Sequence, residues 1–229
     1  MKTYIHRKDG NTELVVIFGG WLTDENTFLP LCDGSFDIII IHNYSYDPPF
    51  IIPGNNIYDK TTLIGWSIGV WAAEYFVPRL NIKPDIAIAV NGTPYPFHDL
   101  FGLPMEKAET YLGSIDYDRV RELRLEAFGK TRGFDDNYNK ISNHLIKSSL
   151  TEIRWLYNRI MEQERPSLRW NYSVISKDDK LIPDSNIDNY WKSVEKTKRV
   201  KISKSIHKMK NSWKSINGFI EYVQNSQSL

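Results

Sequence analysis

Cysteine is almost absent from this chain. The 229 residues hold one, Cys32, so no internal disulfide can form and the composition fits a reducing compartment. No apolar run reaches the roughly 20 residues that a membrane-crossing helix needs. The first residues, Met1 to Asp9, turn polar before the hydrophobic core of a secretory signal could form. Excess charge is missing too: 29 Lys and Arg stand against 28 Asp and Glu, a net charge of +1. Nothing in that balance draws the chain to nucleic acid, so any electrostatic partner site must come from local patterning. The five histidines are scattered, and no His/Asp/Glu cluster has ligand spacing, so neither a metal nor a cofactor is expected. The phosphate-binding patterns G-x-G-x-x-G and G-K-[ST] do not occur, which argues against a nucleotide site. What remains is a soluble cytoplasmic protein, most simply one domain with a sizeable core.

What is present is a set of short, continuous apolar runs. Leu14–Phe18, Phe36–Ile41, Thr62–Ile64, Ile86–Val90 and Tyr172–Ser176 read as strands, with Arg199–Ile202 a weaker sixth. Continuous rather than alternating apolar residues mark strands buried on both faces, as in a parallel sheet. Helical patterns lie between several of them, at Val70–Val77, Asp184–Val194 and Trp213–Val223. Strand alternating with helix predicts an α/β fold with a mostly parallel, doubly wound sheet. The stretch 97–166 breaks the alternation. It holds no strand-like run, and Tyr117–Phe128 and Ile141–Glu164 carry apolar residues at helical spacing. One crossover helix needs far fewer residues, so 97–166 reads as a helical lid inserted into a core formed by 1–96 and 167–229. The alternative is a set of connecting helices on the sheet face.

The third run leads into Gly65-Trp66-Ser67-Ile68-Gly69 and then into a helix-forming stretch. A strand, then Gly-x-Ser-x-Gly, then a helix is the order of the nucleophile elbow of α/β-hydrolases, which lifts a serine oxygen above a parallel sheet. Ser67 is therefore the candidate nucleophile. A serine needs a base in contact, itself oriented by an acid, and in this fold they follow in the order Ser, Asp or Glu, His. His6, His42 and His98 precede any plausible acid, and His144 sits in a helical pattern. That leaves His207, in a loop before the final helix. The acid belongs in the loop Ser176-Lys177-Asp178-Asp179-Lys180-Leu181-Ile182-Pro183. Hydrolases of this kind often carry it four residues before a proline that opens a helix, which favours Asp179; Asp178 then satisfies a turn, though the doubled aspartate keeps both open. An oxyanion hole requires two backbone N–H groups, one from Ile68 and one from the loop Gly19-Gly20-Trp21-Leu22. Gly20, Trp21 and Trp66 are placed to wall an acyl pocket, and Trp71 to enter the core.

With these residues in place, the chain resembles the BioG-type pimeloyl-[acyl-carrier protein] methyl ester esterases. Phe18-Gly19-Gly20-Trp21, the serine elbow through Trp71, and Val90-Asn91-Gly92-Thr93-Pro94-Tyr95-Pro96 followed by Gly102-Leu103-Pro104 carry the resemblance. It implies hydrolysis of the methyl ester of pimeloyl-carrier protein in biotin synthesis, with Ser67 as nucleophile, His207 as base, Asp179 as acid, and Trp21 and Ile68 supplying the oxyanion N–H groups. One departure is His42-Asn43-Tyr44, which ends the second strand where an acidic residue is expected. An acyl carrier protein is acidic, so its esterase needs a local basic face. Lys140, Lys147 and Arg154 recur every seven residues, and Arg119, Arg121, Arg124, Lys130 and Arg132 crowd the preceding segment. Arg121, Arg124, Lys147 and Arg154 are candidate docking residues, although interleaved acids also allow a merely solvated helix face. Two other readings stand: a broader carboxylesterase or thioesterase, and a binding protein that kept the fold and lost catalysis.

Overall fold

The computed structural model describes residues 1–45, 57–128, 143–162, 166–177, 179, 181–203 and 213–226. Seven strands form one sheet: β1 (Lys2–His6), β2 (Glu13–Phe18), β3 (Asp37–His42), β4 (Lys60–Trp66), β5 (Ile86–Val90), β6 (Tyr172–Ser176) and β7 (Lys198–Ile202). Their order is β1-β3-β2-β4-β5-β6-β7, with every pairing parallel except β1 with β3. All six predicted strands are present within a few residues of their expected ends. The antiparallel edge strand β1 was not foreseen. It pairs with one neighbour and stays half exposed, so its sequence carries no continuous apolar run.

Period-two alternation divides each strand between two cores. Leu14, Val16 and Phe18 enter one with Leu63 and Trp71. Val15, Ile17, Ile64 and Trp66 enter the other. The first face is covered by α2 (Gly69–Phe76), α5 (Asn143–Met161) and α6 (Asp184–Lys192). The second is covered by the single helical turn α1 (Glu25–Phe28) and by α7 (Ile216–Asn225). In α7 the buried residues Ile216, Phe219, Ile220 and Val223 are spaced as one helical stripe, and the Ser215 side chain caps its start by accepting from the Gly218 N–H at 3.1 Å.

Between β5 and β6 the described residues form α3 (Met105–Gly113), α4 (Tyr117–Phe128) and α5, and no strand. Helix α3 was not foreseen, because most of its residues are exposed and only Ala108 is buried. The segment is fastened at its exit by Glu74 of α2, whose carboxylate accepts from the Ser167 and Leu168 N–H groups at 2.8 and 2.9 Å and from Trp170 Nε1 at 2.7 Å. At its entry, Asn186 of α6 donates to the Asp99 and Gly102 carbonyls, both at 2.9 Å. No described helix is long and apolar enough to cross a membrane.

Candidate active site

The chain runs from β2 to β3 on one side and returns to β4 on the other, so a crevice opens between the carboxyl ends of β2 and β4, where ligands of such sheets bind. Both expected motifs lie there. Ser67 follows β4 directly and has φ +53°, a left-handed conformation that a serine rarely adopts. Its N–H donates to the Val90 carbonyl at 2.8 Å, and its own carbonyl accepts from Val70 N–H at 3.0 Å as α2 begins. Two neighbouring positions have no room for a side chain. A Cβ on Gly69 would stand 2.1 Å from the Phe18 carbonyl oxygen, and one on Gly92 would stand 2.2 Å from that of Ser67. The loop after β2 also comes near, though less tightly, since a Cβ on Gly20 would meet the Ser67 Cβ at 3.3 Å.

Ser67, Ile68 and Trp21 line one cavity of about 100 Å³ with residues of the helical segment, among them Phe97, Leu123 and Ile153. Among the described residues, no charged side chain lines it. Leu181 and Ile182 close another side, and the Asp179 carboxylate is fixed beneath them, accepting from the Leu181 N–H at 2.8 Å and the Ile182 N–H at 3.2 Å. The turn-satisfying role expected of Asp178 thus belongs at least in part to Asp179; Asp178 itself lies outside the described residues. So does His207, which falls in sequence between β7 and α7. Among the other histidines, His42 Nε2 sits 3.0 Å from Glu25 Oε2, and burial, partly offset by the Glu25 and Asp24 charges, lowers its pKa. His98 accepts from Leu100 N–H and stacks on Phe101. Cys32 is no rival nucleophile: burial, with the Asp33 charge, pushes its thiol up to about 11.

Trp66 does not wall the cavity. Alternation along β4 sends its ring to the opposite sheet face, where it meets Phe28 edge-on at 6.2 Å. Trp21 does line it, and its Nε1 donates to the Ser149 carbonyl of α5 at 2.9 Å. Trp71 is fully buried, stacked on Tyr75. The docking candidates divide. Arg121 is matched with Asp118 at 3.1 Å on its own helix, as Arg119 is with Glu122 at 2.8 Å. Lys147 and Arg154 are exposed on α5. The Arg124 side chain, Lys130, Arg132 and Lys140 lie outside the described residues.

Two groups of residues hold this arrangement and were not singled out as site residues. Asn91 (φ +46°) exchanges two hydrogen bonds with Ser176, Nδ2 to Oγ at 2.7 Å and Oδ1 from the Ser176 N–H at 2.9 Å. It thereby ties the segment that presses on Ser67 to the root of the Asp179 loop. The second group meets the end of β3. Glu152 of α5, 4% exposed, accepts from the Tyr44 N–H at 2.9 Å, while the Tyr44 hydroxyl donates to the Gly19 carbonyl at 2.6 Å. Asn43 Nδ2 donates to Ser148 Oγ. The acid missing from the end of β3 is thus supplied by a helix remote in sequence. Burial pushes the Glu152 carboxyl up to about 7, against the backbone N–H groups of Tyr44 and Asn43, the terminal amine and Lys2, which favour its ionised form.

Comparison with known proteins places these features in a lineage. A family model described as pimeloyl-ACP methyl esterase BioG matches residues 1–216. Over 182 residues the chain is 26% identical to the malonyl-[acyl-carrier protein] O-methyltransferase of Bacteroides fragilis; the match takes in 78% of this chain and spans 36% of that longer protein. The crystal structure of BioG from Haemophilus influenzae aligns with a TM-score of 0.80 at 23% identity, over 95% of this chain and 98% of that one. An esterase from Exiguobacterium antarcticum aligns with a TM-score of 0.67 at 15% identity, over 98% and 96%. At such identities the structural likeness shows the fold alone, and that fold is the α/β-hydrolase fold.

Proposed function

Because the chain belongs to the BioG family of pimeloyl-ACP methyl esterases, and with that family is a carboxylic ester hydrolase, we propose that it cleaves the methyl ester of pimeloyl-carrier protein with Ser67, His207 and Asp179. The Ser67 oxygen attacks the ester carbonyl as its proton passes to His207, and Asp179 orients and stabilises the resulting imidazolium. The negative oxygen of the tetrahedral intermediate is met by the Trp21 and Ile68 N–H groups. Collapse breaks the bond from the carbonyl carbon to the methoxy oxygen, and methanol leaves with the proton from His207. Water, deprotonated by His207, then attacks the acyl-serine; breaking the bond to Ser67 returns its proton and frees the carboxylate.

The observation that carries this reading is the left-handed Ser67, held between Gly20 and Gly92 at the floor of a cavity whose described lining is uncharged. Methylenes and a neutral methyl ester suit that lining. The carboxylate product does not, because an unpaired charge buried there is strongly disfavoured, so hydrolysis itself drives the product out. We read 97–166 as the lid of this cavity, since most of its lining comes from that segment. The relative named for O-methylation of malonyl-carrier protein suits a pathway in which a methyl ester made on a carrier is later removed. The single cysteine suits a cytoplasmic setting for that pathway. The test is methanol release from pimeloyl-carrier protein methyl ester by wild type and Ser67→Ala. Release by wild type alone supports the reading; none from wild type refutes it.

A further inference from the structure

The near-neutral net charge hides a segregation. From Lys192 to Lys214 the sequence holds nine Lys or Arg and one acid, Glu195, in a chain whose net charge is +1. The described part of this stretch forms the end of α6 and the edge strand β7. Alternation along β7 turns Val200 into the core and Arg199 and Lys201 toward α6, where they meet Asp188, which is 5% exposed. The Asp188 carboxylate accepts from Arg199 Nη1 at 2.6 Å, Lys201 Nζ at 2.8 Å and Lys192 Nζ at 2.9 Å. Against the upward push of burial, these bonds hold its carboxyl well below the usual carboxylate range.

One carboxylate thus gathers three cations, and among the described residues the cluster keeps a net positive charge. The two cations described on α4 behave differently, since Arg119 and Arg121 are each matched by a carboxylate one turn away. The basic edge also starts at the rim of the site. Lys177, exposed, donates its N–H to the Ile202 carbonyl at 3.0 Å and opens the loop that carries Asp179 and the cavity-lining Leu181 and Ile182. Lysines on an edge strand discourage sheet-to-sheet pairing, but that purpose does not call for three cations fixed around a buried acid. Held in place before a partner arrives, they lose little side-chain entropy on binding and steer an acidic protein at long range.

We propose that the edge formed by α6 and β7, presented by Lys192, Lys196, Lys198, Arg199 and Lys201, is the docking surface for an acidic carrier protein. The proposal rests on the carrier-ester reading above. It is tested with Lys196→Glu/Lys198→Glu, which spares the Asp188 cluster, against Arg121→Glu/Lys147→Glu on the helices. Each is assayed on the pimeloyl-carrier methyl ester and on dimethyl pimelate, which has no carrier. The edge variant should raise KM for the carrier substrate about ten-fold at low salt, shrinking as salt rises, and leave dimethyl pimelate within about two-fold. Unchanged KM for the carrier substrate, or a larger rise in the helix variant, overturns the proposal. Zero-length crosslinking of wild type to unacylated carrier protein reads the surface without substitution: crosslinks at Lys196 or Lys198 support docking there, and crosslinks confined to Lys147 refute it. Tighter binding of a single-stranded oligonucleotide than of carrier protein also refutes it. If wild type cleaves dimethyl pimelate but not the carrier ester, the substrate reading fails while the crosslinks still locate the docking surface.

Discussion

The two walls of the cavity are built on different principles. The sheet wall is backbone: Ser67 is fixed by its φ, by Val90, and by glycines pressed against carbonyl oxygens and against its own side chain. The helical wall is side chains. Helix α5 is fastened to the site through Trp21 to Ser149, Tyr44 to Glu152 and Asn43 to Ser148, polar contacts set among apolar packing. Such a division assigns reaction chemistry to the rigid wall, and positioning and selectivity to the adaptable one.

Breaking the sheet wall should therefore have the largest effects. Ser67→Ala is expected to lower kcat by on the order of 10⁴-fold or more with the fold intact; residual activity above one part in about a hundred would remove Ser67 from the nucleophile role. Gly92→Ala must displace the elbow, because its new methyl carbon would stand 2.2 Å from the Ser67 carbonyl oxygen. A loss of about 100-fold in kcat is expected, and normal turnover would mean that this wall is softer than described.

The link between the walls comes next. Glu152→Ala leaves the buried Tyr44 N–H without its acceptor, at a cost of about 1–3 kcal/mol in stability. Because Tyr44 also holds the Gly19 carbonyl, kcat should fall about ten-fold while KM moves little. A change in KM alone would sever the helical wall from the chemistry.

Glu152→Gln keeps an acceptor and sharpens the point through pH. Burial raises the folded-state pKa of Glu152 from the ordinary 4.5 to about 7, so between those values the folded protein holds a proton that the unfolded chain has released. Its contribution to stability therefore falls as pH rises from about 4.5 to about 7 and is flat above. Relative to wild type, the Tm of the glutamine variant should be higher at pH 8 than at pH 5, as differential scanning fluorimetry would record; a pH-independent difference would show that Glu152 does not titrate there.

The smallest effect belongs to the lining. Ile153→Ala should shift preference toward longer acyl esters by only a few-fold, since one or two methylenes discriminate weakly. An unchanged chain-length profile would remove α5 from the selectivity wall.

Legibility followed the same divide. The parallel strands could be read because burial on both faces leaves continuous apolar runs, as in Leu14–Phe18 and Ile86–Val90. The elbow could be read because a strained turn and its close contacts admit few residue types. The strand β1 could not, since a half-exposed edge has no such signature, and neither could the direction of Trp66, which depends on strand register. Nothing in the helical pattern of Ile141–Glu164 singles out Glu152, because its partner Tyr44 is 108 residues away. The basic face expected from the sequence lay between Arg119 and Arg154; the run from Lys192 to Lys214 was not singled out, and it gains significance only with Asp188 found among three cations.

The sequence by itself determined the parallel strands, the helices that pack on them, the elbow and the family, because these depend on local periodicity and on short-range steric limits that residue types declare. Only the tertiary structure decided which tryptophan faces the cavity, which carboxylate meets the end of β3, and which cations gather on one buried carboxylate. Those depend on side chains distant in sequence arriving at one place, and neither periodicity nor composition encodes that meeting.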